Sequence, residues 1–242
     1  LGGGSDHVAF VCYAGIPAIA LGCGGSPGSS YHTAYDNLHW YRQVVGEDYE
    51  PALMIARMTN AVAGRLVSEH FVPLHLGTNA EYVASAIGDL IGTIEERAST
   101  GASGWAEVRD ESIPALLAMG DRLNKEWNEY SALRGAVSRQ DPRAEPFWGE
   151  VSSRMLVLAQ GRATQLRDPR EKAWYKNILV APNPDSGYGS DPLPELRRAI
   201  DSGDAAAVVR RIELLTRFLE GQVELLSGEI ETLPDLPQAI DR

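Results

Sequence analysis

The sequence predicts a mainly α protein in which a short α/β segment is followed by an up-and-down helical bundle. Two observations carry this. The apolar run Ile16 to Leu21, bounded by glycines, has the length and composition of a strand buried on both faces. Beyond Pro73, apolar residues recur at helical spacing, and strand character returns only at Ile178 to Ala181. The change of character places a domain boundary near Pro73 to Thr78, giving segments 1–74 and 75–242.

In the first segment, Val8 to Ala14 reads as a short helix or strand closed by a turn at Gly15. Gly22 to Ser30, almost wholly Gly, Ser and Pro, forms a loop ending at Tyr31-His32-Thr33-Ala34-Tyr35-Asp36-Asn37. A glycine-rich loop at the end of a buried strand is where α/β proteins usually place their chemistry. From Tyr49 to about Phe71, the residues Leu53, Met54, Met58, Val62 and Leu66 predict a long helix packed on the sheet, with Pro51 in its first turn. One of Asp36 and Asn37 is expected to cap a helix.

Four helical stripes follow. They run through Val83, Ile87, Leu90 and Ile94, then Ile113, Leu116, Leu117, Leu123 and Trp127, then Trp148, Val151, Met155 and Leu158. The fourth steps through Val208, Ile212, Leu215, Leu219, Val223, Leu226 and Ile230, close to a heptad seam. Such a stripe is buried within a bundle or across a dimer interface, and a homodimer through the helical segment is expected. Leu166 to Leu193 is a long irregular stretch with Trp174, Tyr175 and the Ser186-Gly187-Tyr188-Gly189 turn, long enough to suggest function.

The 242 residues are 44% apolar, enough for a substantial core, and carry a net charge of −11 with a pI near 4.9. That field repels phosphate backbones, which excludes nucleic acid as a natural partner. No apolar run reaches the roughly 20 residues of a membrane span. Leu1 to Asp6 lack the features of a secretory signal, and the start reads as the beginning of a piece of a longer protein. Cys12 and Cys23 are too few for a disulfide scaffold and are expected to be buried free thiols.

His32, at the tip of the glycine-rich loop, is the sharpest single candidate for chemistry: a neutral imidazole there could coordinate zinc or serve as a hydrogen-bonding structural residue. The order Gly2-Gly3-Gly4-Ser5-Asp6-His7, Gly15-Ile16-Pro17, then Tyr31-His32 through Asn37 resembles the end of the catalytic domain of glutamate carboxypeptidase-like metallopeptidases. Asp168-Pro169, Trp174-Tyr175-Lys176-Asn177, Ile178 to Pro182 and Gly187-Tyr188-Gly189 before Leu193-Pro194 resemble that family's transferrin receptor-like dimerisation domain.

The resemblance implies a co-catalytic zinc exopeptidase. His32 becomes a terminal ligand to one of two zinc ions, and Tyr31 donates its hydroxyl to the tetrahedral oxyanion. Gly4 and Ser5 lie beside a peptide substrate, Asp6 and His7 orient that loop, and Tyr188 hydrogen-bonds the substrate's terminal carboxylate. Glutamate-selective members have a lysine before that tyrosine, where Gly187 stands here, and arginines where this chain has Ala18, Ile19 and Ala20. Altered specificity, including an aminopeptidase-like preference, is therefore expected. The remaining metal ligands of the family would lie before Leu1, so the chain by itself is expected to be inactive and to hold no zinc. Family members are commonly extracellular or periplasmic. The alternative is a transferrin receptor-like scaffold that dimerises or binds without catalysis.

Overall fold

The computed structural model describes residues 3–23, 30–69, 71, 74–144, 147–156 and 174–233. Gly2, Pro73, Leu158, Asp168, Pro169 and loop residues 24–29, all of them named by the sequence reading, lie outside the described residues. The chain divides into two compact units, Leu1–Ala18 with His70–Arg242, and Ile19–Glu69.

The larger unit is helical. α3 (Gly77–Gly88) and α4 (Ile91–Ser99) share one stripe across a tight break, where the Leu90 amide bonds the Ile87 carbonyl at 2.9 Å. Val83, Ile87, Leu90 and Ile94 are all buried, as their spacing predicts. A short α5 (Trp105–Glu107) runs through a π-helical turn (Val108–Ser112) into the long α6 (Ile113–Gln140), which has a proline in its first turn. α7 spans 147–156 and buries Trp148, Val151 and Met155. α8 (Pro194–Ser202) ends at Gly203, whose φ of 78° suits only glycine comfortably. α9 (Ala205–Thr232) starts at once, with the Asp204 carboxylate accepting from the Ala207 amide at 2.9 Å.

The α9 stripe is the spine of this unit. Val208, Ile212, Leu215, Leu219, Val223 and Leu226 are all buried, and α9 packs chiefly on α6 and α8. Burying each such side chain is worth about 1.5–3 kcal/mol. The heptad-like seam is thus buried within the chain, which is one of the two kinds of burial expected for it. A few polar pairs set which helices meet. Asn79 of α3 donates to Gln222 of α9 at 3.0 Å, Trp148 of α7 donates to Ser138 of α6 at 2.8 Å, and Arg154 of α7 pairs with Glu229 of α9 at 2.8 Å.

The smaller unit holds α1 (Leu38–Val44) and α2 (Glu50–Ser68), neither of which buries a residue. The local capping signals hold: Asn37 accepts from the Trp40 amide at 3.0 Å, and Pro51 sits in the first turn of α2. The strand expected at Ile16 to Leu21 does not form; Ile16, Ile19 and Leu21 are exposed, and the segment has no regular structure. A strand exists only by pairing, and among the described residues the strands are β1 (Val180–Pro182) and β2 (Ser190–Pro192), which pair with each other. Leu53, Met54, Met58 and Val62 of α2, expected to face a sheet, are exposed among the described residues. The cysteines also divide: Cys12 is buried and Cys23 exposed, and neither is in a disulfide.

Glu229 provides a test of the spine. It is buried and pairs with Arg154 of α7, and burial raises its pKa, with Arg154 opposing and Glu150 of α7 reinforcing the shift. A carboxyl whose folded pKa is raised contributes most below its unfolded value, about 4.3, and loses that contribution as pH rises through the folded value. Glu229→Gln is expected to be more stable than wild type to urea at pH 7.5, with the difference shrinking toward pH 4. Urea midpoints at both pH values check this.

Candidate functional site

The first described residues and the hairpin near the chain's far end build one structure. A π-helical turn (Ala9–Ala14) is stopped by Gly15 at φ 69°. Its Cys12 carbonyl accepts from the Lys176 and Asn177 amides at 2.8 and 3.0 Å, and the Asn177 side chain donates to the Val11 carbonyl at 3.0 Å. Beneath these bonds Cys12, Tyr175 and Ala181 form a small second core, with Val8, Val11 and Val180 packed against it. The Lys176 ammonium lies 4.2 Å from the centre of the Tyr13 ring. Burial pushes the Cys12 thiol pKa up, which disfavours the thiolate, and the side chain packs in this small core. Tyr82 of α3 is raised to about 12 by burial, with Asp191 and Cys12 adding to the shift.

The strands β1 and β2 are antiparallel, with Ala181 opposite Asp191, and residues 183–189 connect them. The Tyr175 hydroxyl donates to Glu195 at 2.8 Å, Arg198 bonds the same carboxylate at 2.9 Å, and Arg197 pairs with Asp191 at 3.0 Å. These contacts tie the hairpin to the start of α8.

Gly3 and Gly4 lie directly against the hairpin connection. The Gly4 amide donates to the Gly187 carbonyl at 2.8 Å. A Cβ on Gly3 would run into the Gly189 carbonyl, and one on Gly4 would come within 3.4 Å of the Tyr188 ring and carbonyl. Gly4 also has φ 88°, which a side chain would strain. Two of the sequence candidates, Gly4 and Tyr188, are therefore brought together, with the Tyr188 side chain exposed. Ser5 and Asp6 are exposed on the turn after Gly4, and the Ser5 carbonyl accepts from the Val8 amide at 3.1 Å. His7 is half-buried, and its Nε2 has no hydrogen-bond partner among the described residues.

Tyr31 and His32 belong to the smaller unit. Their rings stack with centroids 3.8 Å apart and planes 20° apart, on a turn closed by Thr33, whose amide and hydroxyl both bond the Ser30 carbonyl. His32 has φ 60°, a left-handed conformation that costs a non-glycine residue about 1–2 kcal/mol. Among the described residues no three His, Cys, Asp or Glu side chains gather to hold a metal ion. His32 alone falls short of the three or four protein ligands that zinc sites use, so no metal-dependent step follows from these residues. A cavity of about 640 Å³ between the Val108–Ser112 turn and α9 is rimmed by Glu107, Glu111 and Glu213 and includes none of the candidate residues.

Residues 120–227 match the transferrin receptor-like dimerisation domain family. The match covers under half of the chain, which over that stretch is similar to the family. Over a wider span, the chain is 26% identical to a protein of Arabidopsis thaliana named Probable glutamate carboxypeptidase LAMP1, over 83% of this chain and 27% of that protein. It is 22% identical to a Probable glutamate carboxypeptidase of Arthroderma benhamiae (94% of this chain, 30% of the relative) and 24% identical to mouse Aminopeptidase NAALADL1 (93% and 31%). The chain thus spans under a third of the length of these relatives. No solved structure matches it at comparable significance. The glutamate carboxypeptidase-like resemblance read from the short motifs holds over most of the chain, and a self-associating domain is what the matched family implies. Among the described residues no helix is long and apolar enough to cross a membrane.

Sequence reasoning names Asn177 and Ser186 only within motifs and gives them no role, and it does not name Asn183; Asn177 anchors its segment to the Ala9–Ala14 turn, and Asn183 and Ser186 shape the hairpin connection. The Asn-Pro-Asp-Ser-Gly run from Asn183 to Gly187 is a turn signal that could have found the latter two. Gly3→Ala is expected to destabilise the larger unit by about 1–3 kcal/mol through overpacking against Gly189. Gly88→Ala, where a Cβ meets nothing within 4 Å, should not. Chemical denaturation of both variants beside wild type checks this.

Proposed function

We propose that this chain is the C-terminal region of a co-catalytic zinc exopeptidase that hydrolyses terminal peptide bonds of small peptides. Residues 1–74 complete its catalytic domain, and 75–242 form its dimerisation domain. The observation that carries the reading is the extent of the similarity. The match to peptidase-named relatives covers 83–94% of the chain, well beyond the 120–227 stretch that the dimerisation domain family accounts for.

In this reading His32 is a terminal ligand to one of two zinc ions, the other ligands coming from preceding sequence. Zinc would supply a hydroxide nucleophile near neutral pH and polarise the scissile carbonyl. Tyr31 donates its phenol proton to the oxyanion, a donor aimed where charge develops. Gly4, Ser5 and Tyr188 contact substrate, with Tyr188 bonding the terminal carboxylate, and Asp6 and His7 hold the Gly4 loop. The exposed apolar side chains of α2 and of Ile16 to Leu21 fit a surface that the rest of a catalytic domain would cover. The protein acts as a homodimer outside the cytoplasm, and the chain alone is inactive.

A second reading, an aminopeptidase, draws on Gly187 standing where a carboxylate-binding lysine would precede Tyr188, and on the name of the mouse relative. A panel of dipeptides with free or blocked ends, assayed on the full-length protein with and without chelator, decides. The proposal expects hydrolysis that chelation abolishes and zinc restores. It also expects a fall in kcat of about 10²–10³ for Tyr31→Phe. Refusal of N-blocked substrates alone identifies the aminopeptidase. No hydrolysis of any substrate, with zinc supplied, overturns the enzyme reading in favour of a binding scaffold.

A further inference from the structure

The connection from β1 to β2 is seven residues long, includes two glycines and is on the surface, a composition that ordinarily gives a floppy loop. Its hydrogen bonding shows otherwise. The Asn183 side-chain oxygen accepts from the amides of Asp185 and Ser186 at 2.9 and 3.0 Å. The Asn183 carbonyl accepts from the Gly187 amide at 3.1 Å, and the Asn183 amide donates to the Gly189 carbonyl at 3.0 Å. The Ser186 hydroxyl oxygen accepts from the Gly189 amide at 2.9 Å, and the Gly187 carbonyl accepts from Gly4 at 2.8 Å. Both glycines flanking Tyr188 thus have amide and carbonyl engaged, one set by Asn183 and Ser186, the other with help from Gly4. Between them Tyr188 presents an exposed ring.

We propose that Asn183 and Ser186 are positioning residues for Tyr188, holding its backbone in the binding geometry before substrate arrives. The proposal rests on the reading of Tyr188 as a substrate contact. Its physical basis is entropic: ordering a loop residue costs about 1–2 kcal/mol, and a loop already ordered does not charge that cost to binding. Asn183 and Ser186 touch no substrate. They act by leaving Tyr188 only its side-chain rotations to lose.

Steady-state kinetics of the full-length protein test this, using peptides with a free C-terminal carboxylate and the same peptides amidated. Tyr188→Phe is the reference and is expected to raise KM for the free acids. Asn183→Ala and Ser186→Ala are expected to raise the same KM by about tenfold, with kcat and the amide substrates unaffected. Ser186→Thr, which keeps the acceptor oxygen, retains the wild-type KM. Asn183→Ala combined with Tyr188→Phe does no more harm than Tyr188→Phe alone. If Tyr188→Phe raises KM but neither alanine variant does, the positioning role is wrong while the functional reading stands. If Ser186→Thr is as impaired as Ser186→Ala, or kcat and the amide substrates suffer equally, the effect is general destabilisation and the role is equally wrong. If Tyr188→Phe leaves KM unchanged, Tyr188 is no substrate contact and the proposal falls with that reading.

Discussion

The junction between the Cys12 carbonyl and the amides of Lys176 and Asn177 is the contact on which the architecture of the candidate site depends. It joins segments more than 160 residues apart, as the return bond from the Asn177 side chain to Val11 makes explicit. Closing a loop of that length costs on the order of 4–5 kcal/mol of chain entropy, so the contact persists only because apolar burial accompanies it. Cys12, Tyr175 and Ala181 supply that burial, and their side chains lie under the backbone bonds they protect. Without the junction, Gly3 and Gly4 would have no reason to lie against Gly187 and Gly189. Tyr188 would then sit on an unsupported turn.

The helical domain provides the rigid base for this junction. Tyr175 and Asp191 are tied to Glu195 and Arg197 of α8, and α8 packs on the α9 spine. A chain of direct contacts therefore runs from the buried stripe of α9 to the exposed ring of Tyr188. The helical domain also carries one of the groups proposed to meet substrate, Tyr188. Tyr31 and His32 sit on a turn of the smaller unit whose strained His32 backbone is held by the Ser30–Thr33 bonds.

Features with purely local causes were legible in the sequence. The α9 stripe, the Asn37 cap, Pro51 in the first turn of α2 and the Gly15 stop all follow from periodicity or from one residue's conformational preference. Features that depend on a partner were not. An amphipathic stripe demands burial but does not name what buries it, so Val208 to Ile230 left a bundle and a dimer interface both open, and only the fold shows α6 and α8 covering it within the chain. Ile16 to Leu21 has strand composition, yet strand formation needs a hydrogen-bonding neighbour, and none lies beside it among the described residues. For the site, the Gly-Tyr-Gly turn and the N-terminal glycines were each conspicuous, but only the fold shows Gly3 and Gly4 in contact with the hairpin connection. Asn183 went unnamed, and Ser186 and Asn177 were named only within motifs and given no role, because their work is hydrogen bonding to backbone, which leaves no periodicity to read.

Native-state hydrogen exchange at the Lys176 and Asn177 amides tests the central junction most directly. Opening free energies there should approach those of buried α9 amides such as Leu219, since both would be released only when the larger unit unfolds. Exchange of these two amides near the rate of an unstructured chain, while α9 stays protected, would show that the N-terminal turn is not docked and would contradict the account.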